Sequence, residues 1–229
     1  MDKVGTHLSF ICSISNTGKE AFEMITKYLV LIALVFPFLS LADDSAYQSV
    51  RDNVFWPQLY NKAYEGLYCG RQFPQGHKIT VEHVYPAGWI AAANGCPNRN
   101  SCPKDAYRKA SSDLHNLWPA EGRYNSSRSN KPFAVIPGND PRFTDEDPPC
   151  DFERTTGADA VVEPRDSVKG EIARSLLYMI WKYQLPDQGM YQLIMEWNFR
   201  DPPTDEEKRR YLDAQMLQGN SNPYIEMWM

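Results

Sequence analysis

Residues 78–89 read KITVEHVYPAGW. Lys78-Ile79-Thr80-Val81 is β-prone, and Pro86 and Gly88 break the chain just beyond it. The pattern predicts a short strand that ends at Glu82-His83. Neighbours on a strand point to opposite faces, so Glu82 and His83 share one site only where the strand ends or twists. The Pro-Gly break makes that possible. Taken alone, the pair is weak evidence, because a surface carboxylate beside a structural imidazole gives the same two letters.

Two later stretches change the balance. Residues 113–119 read DLHNLWP, and Asn125 follows nine residues after Asn116. Asparagine oxygens and a carboxylate are the donors that hard divalent ions such as Mg²⁺ accept while keeping several waters. Phosphodiester hydrolysis needs a base for the attacking water, a cation on the phosphate oxygens and help for the leaving group. An imidazole is neutral near pH 7 and suits the first task, which points to His83. Glu82 and Asn125 can hold the ion. Arg99 lies in the loop between Cys96 and Cys102 and can meet a phosphate with both guanidinium edges.

The chain has 229 residues, enough for one good-sized domain. Its net charge of −5 argues mildly against a nucleic-acid partner, although a local basic strip is compatible with an acidic remainder. Residues 28–42 read YLVLIALVFPFLSLA, with Lys27 before them and Asp43-Asp44 after. The run is short and interrupted by proline, and it ends in small-x-small, Ser40-Leu41-Ala42. It reads as a signal peptide cleaved after Ala42, with an uncleaved anchor as the alternative. Met24 has normal spacing for the true start, so residues 1–23 are an odd additional leader. Removing 1–42 takes away Asp2, Glu20 and Glu23 but also Lys3, Lys19 and Lys27, so the charge is unchanged. The domain is then 43–229.

Of five cysteines, Cys12 falls in the leader. Cys69, Cys96, Cys102 and Cys150 remain, and an even count in an exported chain suggests two disulfides with three possible pairings. The short loop between Cys96 and Cys102 favours that pair, which leaves Cys69 with Cys150. A zinc site is disfavoured because there is no C-x-x-C.

Elsewhere, 46–68 looks helical despite Pro57. Residues 93–104 read as loop and 105–112 as a short helix, while 120–131 are either loop or helix end. From 132 to 168 the chain is rich in Pro, Asp and Gly and reads as an irregular excursion. Residues 168–184 place Ile172, Leu176, Met179, Ile180 and Tyr183 on one stripe, an amphipathic helix. Residues 188–198 are helical. Thr204 followed by Glu207 is a capping box opening a charged helix to 217, and the run Asp205–Arg210 is expected on a solvated face. Trp118, Trp181, Trp197 and Trp228 are assigned to core, His115 to a packed position donating to backbone, and His77 to the surface.

The motifs EHVYPA (82–87), RNSCPKDAYRK (99–109), SDLHNLWP (112–119) and the Asn125 segment resemble the bacterial endonuclease I family. These are secreted or periplasmic nucleases with a ββα-metal (His-Me finger) site. The likeness extends to EIARSLLYM (171–179), Glu196-Trp197-Asn198 and QGNSNPYI (218–225), and covers most of 69–226. It implies an α+β, mostly helical single domain around the ββα finger with a small sheet. It implies His83 as general base, Glu82 and Asn125 as ligands of Mg²⁺ or another divalent ion, and Arg99 on the cleaved phosphate. Asn116 matches the asparagine that clamps the finger and orients the histidine. Arg128 and Asn130 fall where the family has polar residues near the substrate backbone. Gln218, Asn220 and Asn222 fit a C-terminal segment that packs by the site. The implied activity is cleavage of double- and single-stranded DNA, and of RNA, through backbone contacts with little sequence preference, by a monomer outside the cytoplasm.

The sequence also departs from the family pattern. Thr80 stands where many members have another acid, and Arg71 stands where a second cysteine is expected, so one family disulfide should be absent. The acidic net charge is unlike that of the more basic members. Two other classes remain in view: a non-catalytic nucleic-acid binding module, and a disulfide-stapled envelope protein. The second requires Glu82, His83, Arg99 and Asn125 to lie apart in space.

Overall fold

The computed structural model describes residues 45–138 and 149–229. The signal peptide, its cleavage after Ala42 and the start at Met24 lie outside the described residues. Helix α1 (Ser45–Val50) runs directly into a π-helical segment, Arg51–Leu59. Pro57 inside it has no N–H to give, and the Tyr60 N–H reaches back five residues to the Phe55 carbonyl at 2.9 Å. The helix expected to 68 therefore stops at Leu59. Tyr64–Glu65 is instead strand β1, paired with β2 (Gln72–Phe73).

Strand β3 (Thr80–His83) ends at the Glu-His pair as expected. Helix α2 (Ala87–Ala93), a single 3₁₀ turn (Arg99–Ser101), helix α3 (Asp105–Ser111) and a second 3₁₀ turn (Leu114–Asn116) lead to β4 (Leu117–Ala120). β4 pairs antiparallel with β3, Thr80 opposite Ala120 and His83 opposite Leu117. Helix α4 (Gly122–Arg128) follows immediately and packs back on β3, which completes a ββα unit with a helical insertion between its strands. The polar stretch 120–131, read as loop or helix end, is thus mostly helix.

The Pro/Asp/Gly-rich stretch is more regular than its composition suggests. β5 (Phe152–Arg154) and β6 (Val162–Pro164) form an antiparallel hairpin whose Phe152 and Val162 are fully buried. Helices α5 (Lys169–Tyr183), α6 (Tyr191–Arg200), α7 (Asp205–Gln218) and the short α8 (Pro223–Glu226) complete the α+β domain. Two disulfides are formed, Cys69–Cys150 across 81 residues and Cys96–Cys102 across six.

The finger sits between two apolar clusters. Val84, Ala120 and Tyr124 join the larger one around α5, while Val81, Leu114 and Leu117 join a smaller one with Phe55, Trp56 and Leu59. α5 is not a surface helix with one apolar stripe. Gly170 through Met179 are buried on every face, so its polar members need internal partners. Trp118 Nε1 donates to Ser175 Oγ at 2.9 Å, and Arg174 donates to both carboxylate oxygens of Glu207 at 2.6 and 2.5 Å.

The solvated face expected at 205–210 holds for Asp205, Glu206 and Arg209, which are exposed, but not for Glu207. Thr204 Oγ1 caps α7 by accepting from the Glu207 N–H at 3.1 Å, but the Glu207 carboxylate turns inward to Arg174, so only half of the capping box exists. Arg210 is buried too. It donates to the carbonyls of Leu114 and Leu117 at 2.7 and 2.5 Å and lies 3.9 Å above the Trp118 ring. Trp197 is core and Trp118 and Trp228 are half-buried, but Trp181 is 48% exposed.

Candidate active site

Glu82 points from β3 into the protein and is 3% exposed. Tyr68 donates its hydroxyl to Oε1 at 2.7 Å, and an Arg128 guanidinium nitrogen lies 3.6 Å from the same oxygen. Burial is the largest influence on this carboxyl and lifts its pKa to about 7. Arg128 and the Tyr68 hydrogen bond pull against it.

Arg128 departs from expectation. It is fully buried, donates to the carbonyl of Val84 at 2.7 Å and of Ser129 at 3.1 Å, and lies over the rings of Phe133 and Trp89 at 4.9 and 5.4 Å. A side chain held this way cannot reach a substrate backbone. It is the internal counter-charge of Glu82, needed because an unpaired buried carboxylate is costly.

His83, on the opposite side of the strand, is half-buried, and its Nε2 lies 2.8 Å from the carbonyl oxygen of Ser111 at the end of α3. A carbonyl only accepts, so Nε2 carries the hydrogen and the lone pair of the neutral ring is on Nδ1. Burial lowers this imidazole's pKa to about 4 against the opposing pull of the Ser111 carbonyl, with Arg99 and Arg128 adding to the lowering. The ring is neutral at pH 7. The Tyr47 ring from α1 packs beside it, centroids 4.7 Å apart and planes inclined at 52°.

Asn116 sits beneath the pair and is wholly buried. Its Oδ1 accepts from the Tyr85 N–H at 2.6 Å and its Nδ2 donates to the Tyr85 carbonyl at 3.0 Å. One side chain thus clamps the backbone two residues past His83.

Asn125, on α4, donates from Nδ2 to Thr80 Oγ1 at 3.0 Å and to the Val81 carbonyl at 3.2 Å. Thr80 spends its own hydroxyl hydrogen on the Ala120 carbonyl, so both partners of the amide are acceptors. That fixes the amide's orientation and leaves Oδ1 as its free donor to a cation. Asn130 and Arg99 are exposed, and with Glu82, His83 and Asn125 they line one cleft of about 890 Å³. Asn130 lies so close to Gly88 that a Cβ there would stand 2.5 Å from Nδ2, so the glycine makes room for it.

Gln218, Asn220 and Asn222 stand behind the site. Gln218 accepts from the Leu114 N–H at 2.7 Å and donates to Asp113 at 2.9 Å, the Asn220 carbonyl lies 3.0 Å from His115 Nε2, and Asn222 caps α8. His115 is packed as expected, and His77 is exposed.

The cleft also holds residues outside the motifs, namely Tyr47, Arg51, Asp52, Trp56 and Lys78. Tyr47 and Arg51 are one helical turn apart, which is the only sequence signal they carry. Arg51, Lys78 and Arg99 outnumber Asp52 and Glu82 three to two, so the cleft is locally less acidic than the chain.

Among the described residues no three His, Cys, Asp or Glu side chains cluster as a metal site. One carboxylate, one amide oxygen and open solvent fit a different type of site, a hard cation that keeps most of its waters. A buried carboxylate with a pKa near 7 also gains its charge readily when a cation replaces the proton.

A family model described as Endonuclease I matches residues 44–227. The chain is 32% identical over 166 residues to an extracellular deoxyribonuclease of Aeromonas hydrophila, covering 70% of each protein. It is 32% identical over 167 residues to a periplasmic deoxyribonuclease of the same organism, 69% of each. A third relative is an extracellular ribonuclease of Bacillus subtilis, 32% identical over 140 residues, or 50% of this chain and 43% of that one.

Proposed function

We propose, from the premise that this chain belongs to the endonuclease I family, that it is a metal-dependent endonuclease. It cleaves DNA, and RNA as well, with little sequence preference, outside the cytoplasm. The observation that carries this reading is the convergence of Glu82, His83, Arg99 and Asn125 on one cleft. Their convergence argues against the envelope-protein alternative. The relatives named for deoxyribonuclease and ribonuclease activity support both substrates. Their extracellular and periplasmic names, together with four paired cysteines, support an oxidising compartment.

In this mechanism His83 Nδ1 takes the proton of the attacking water. The Ser111 carbonyl keeps Nε2–H in place and stabilises the imidazolium that forms. Glu82 and Asn125 Oδ1 hold the divalent ion, Mg²⁺ in this proposal. Bound there, the ion supplies positive charge to the phosphate and the leaving oxygen. Arg99 reaches the phosphate from the rim, and Asn130, which lines the same cleft, contacts the substrate backbone. Asn116 keeps the strand end, and so His83, in place.

The purified, oxidised protein should nick supercoiled plasmid in Mg²⁺ and stop in excess chelator. Binding of plasmid without nicking in any divalent ion would leave only a binding module. The ion's affinity should also depend on pH in a set direction. Below about pH 7 Glu82 must release a proton to hold the ion, so Mg²⁺ affinity should fall about ten-fold per pH unit as pH drops, and level off above about 7. Calorimetric Mg²⁺ titrations across that range would reveal the break, and an affinity that ignores pH would remove Glu82 from the ion.

A further inference from the structure

Among the described residues His83 has one polar anchor, the Ser111 carbonyl at 2.8 Å. A single hydrogen bond fixes the tautomer and the ring's edge, but the ring can still tilt about the line from Cβ to that bond. A catalytic lone pair must be aimed, and a misplacement of about 1 Å can cost on the order of 100-fold in rate. Whatever fixes the tilt has to pack against the ring itself.

Tyr47 is the ring packed against the imidazole, 4.7 Å between centroids and inclined at 52°. It belongs to α1, outside every motif of the family resemblance. α1 packs on α3, the helix whose last residue, Ser111, supplies the carbonyl for Nε2. Both restraints on the imidazole thus come from two helices in mutual contact. Arg51, one turn on, lies 5.8 Å from the centre of the Tyr47 ring and also lines the cleft. The side chain of Tyr47 is therefore held between the base and a second cleft residue.

We propose that Tyr47 is a positioning residue for the hydrolysis, with its ring fixing the tilt of His83 so that Nδ1 faces the cleft. This rests on the reading of His83 as the base. The N-terminal helix is then part of the active site and not merely a support for the smaller apolar cluster.

The test is steady-state nicking by the full chain with Tyr47→Ala, Tyr47→Phe, Val50→Ala and His83→Ala. Val50 is a neighbouring, partly buried residue of α1 in the smaller cluster, so its truncation loosens the helix without removing the ring. Tyr47→Ala should lose about 10- to 100-fold in kcat with KM unchanged. Tyr47→Phe should restore kcat to within two-fold, because it keeps the ring, and Val50→Ala should stay close to the parent. Parent-like kcat in Tyr47→Ala overturns the proposal, as does a Tyr47→Phe variant as slow as the alanine or an equal loss in Val50→Ala. His83→Ala separates the levels. Inactivity there beside an active Tyr47→Ala rejects only the positioning role, whereas an active His83→Ala rejects the base itself.

Discussion

Replacing His83 by alanine should lower plasmid nicking in saturating Mg²⁺ by about 100- to 10,000-fold, the range over which a positioned general base contributes. The expectation follows from local geometry. The Ser111 carbonyl commits Nε2 to its hydrogen, so Nδ1 has the lone pair, and a pKa near 4 keeps the ring neutral at physiological pH. Two signs follow. The rate should not fall on the acid side until the pH is well below neutral on account of His83, and losses nearer pH 7 belong to Glu82 and the ion. The His83→Ala protein should melt within a few degrees of the parent, because the imidazole is half-buried and has one polar partner. Near-parental rates in a folded His83→Ala protein would end the proposed mechanism.

Arg174→Met should destabilise the fold by about 3–5 kcal/mol, the usual cost of leaving a buried charge without its partner. Arg174 and Glu207 have side chains 1% exposed, and the arginine also holds the Asp201 carbonyl at 2.7 Å. Burial already raises the Glu207 pKa, and Arg174 is the main opposing influence. Without it only the weaker pull of Arg210 opposes burial, so the folded pKa of the carboxyl should rise further. A carboxyl with a raised folded pKa stabilises most at low pH and loses that contribution as pH rises through it, so the Arg174→Met deficit should widen from pH 5 to pH 8. Denaturant unfolding at both pH values tests this. A double variant, Arg174→Met with Glu207→Leu, should recover most of the loss, because both charges of the pair are removed together and the neighbouring Glu171 carboxyl loses the Glu207 carboxylate as well as the guanidinium. Equal stability of Arg174→Met and the parent at pH 8 would rule out the pair as a buried partner set.

The elements set by local chemistry were legible in the sequence. β3 is readable from its β-prone run and Pro-Gly stop, and the start of α7 from Thr204. The chemical set was legible because Glu82, His83, Arg99 and Asn125 lie in motifs with recognisable neighbours, and they do share one cleft. What failed depends on pairs far apart in the chain. Arg128 stands in a polar stretch that suggests exposure, and only the Glu82 carboxylate 46 positions earlier explains its burial. Glu207 and Arg210 look like the surface of a charged helix because their partners, Arg174 and the Leu114 and Leu117 carbonyls, are remote. Pro57 was read as an interruption, while the backbone absorbs it by widening its hydrogen-bond register. The β5–β6 hairpin was hidden in a composition that usually marks loops, since its strands are only three residues each.

The clamp at Asn116 bears on how often the site comes apart. Glu82 and His83 are the last two residues of a four-residue strand in a two-stranded ladder. Strand ends of that kind open and close locally far more often than the protein unfolds. The Val84 N–H still finds the Asn116 carbonyl at 3.1 Å, and the Asn116 side chain then serves Tyr85 as a substitute rung, offering one donor and one acceptor where no further strand residue stands opposite. Fraying should then begin two residues beyond Glu82 and His83. The assembled site should then persist for as long as a buried amide stays seated, which is longer than a short hairpin holds together alone.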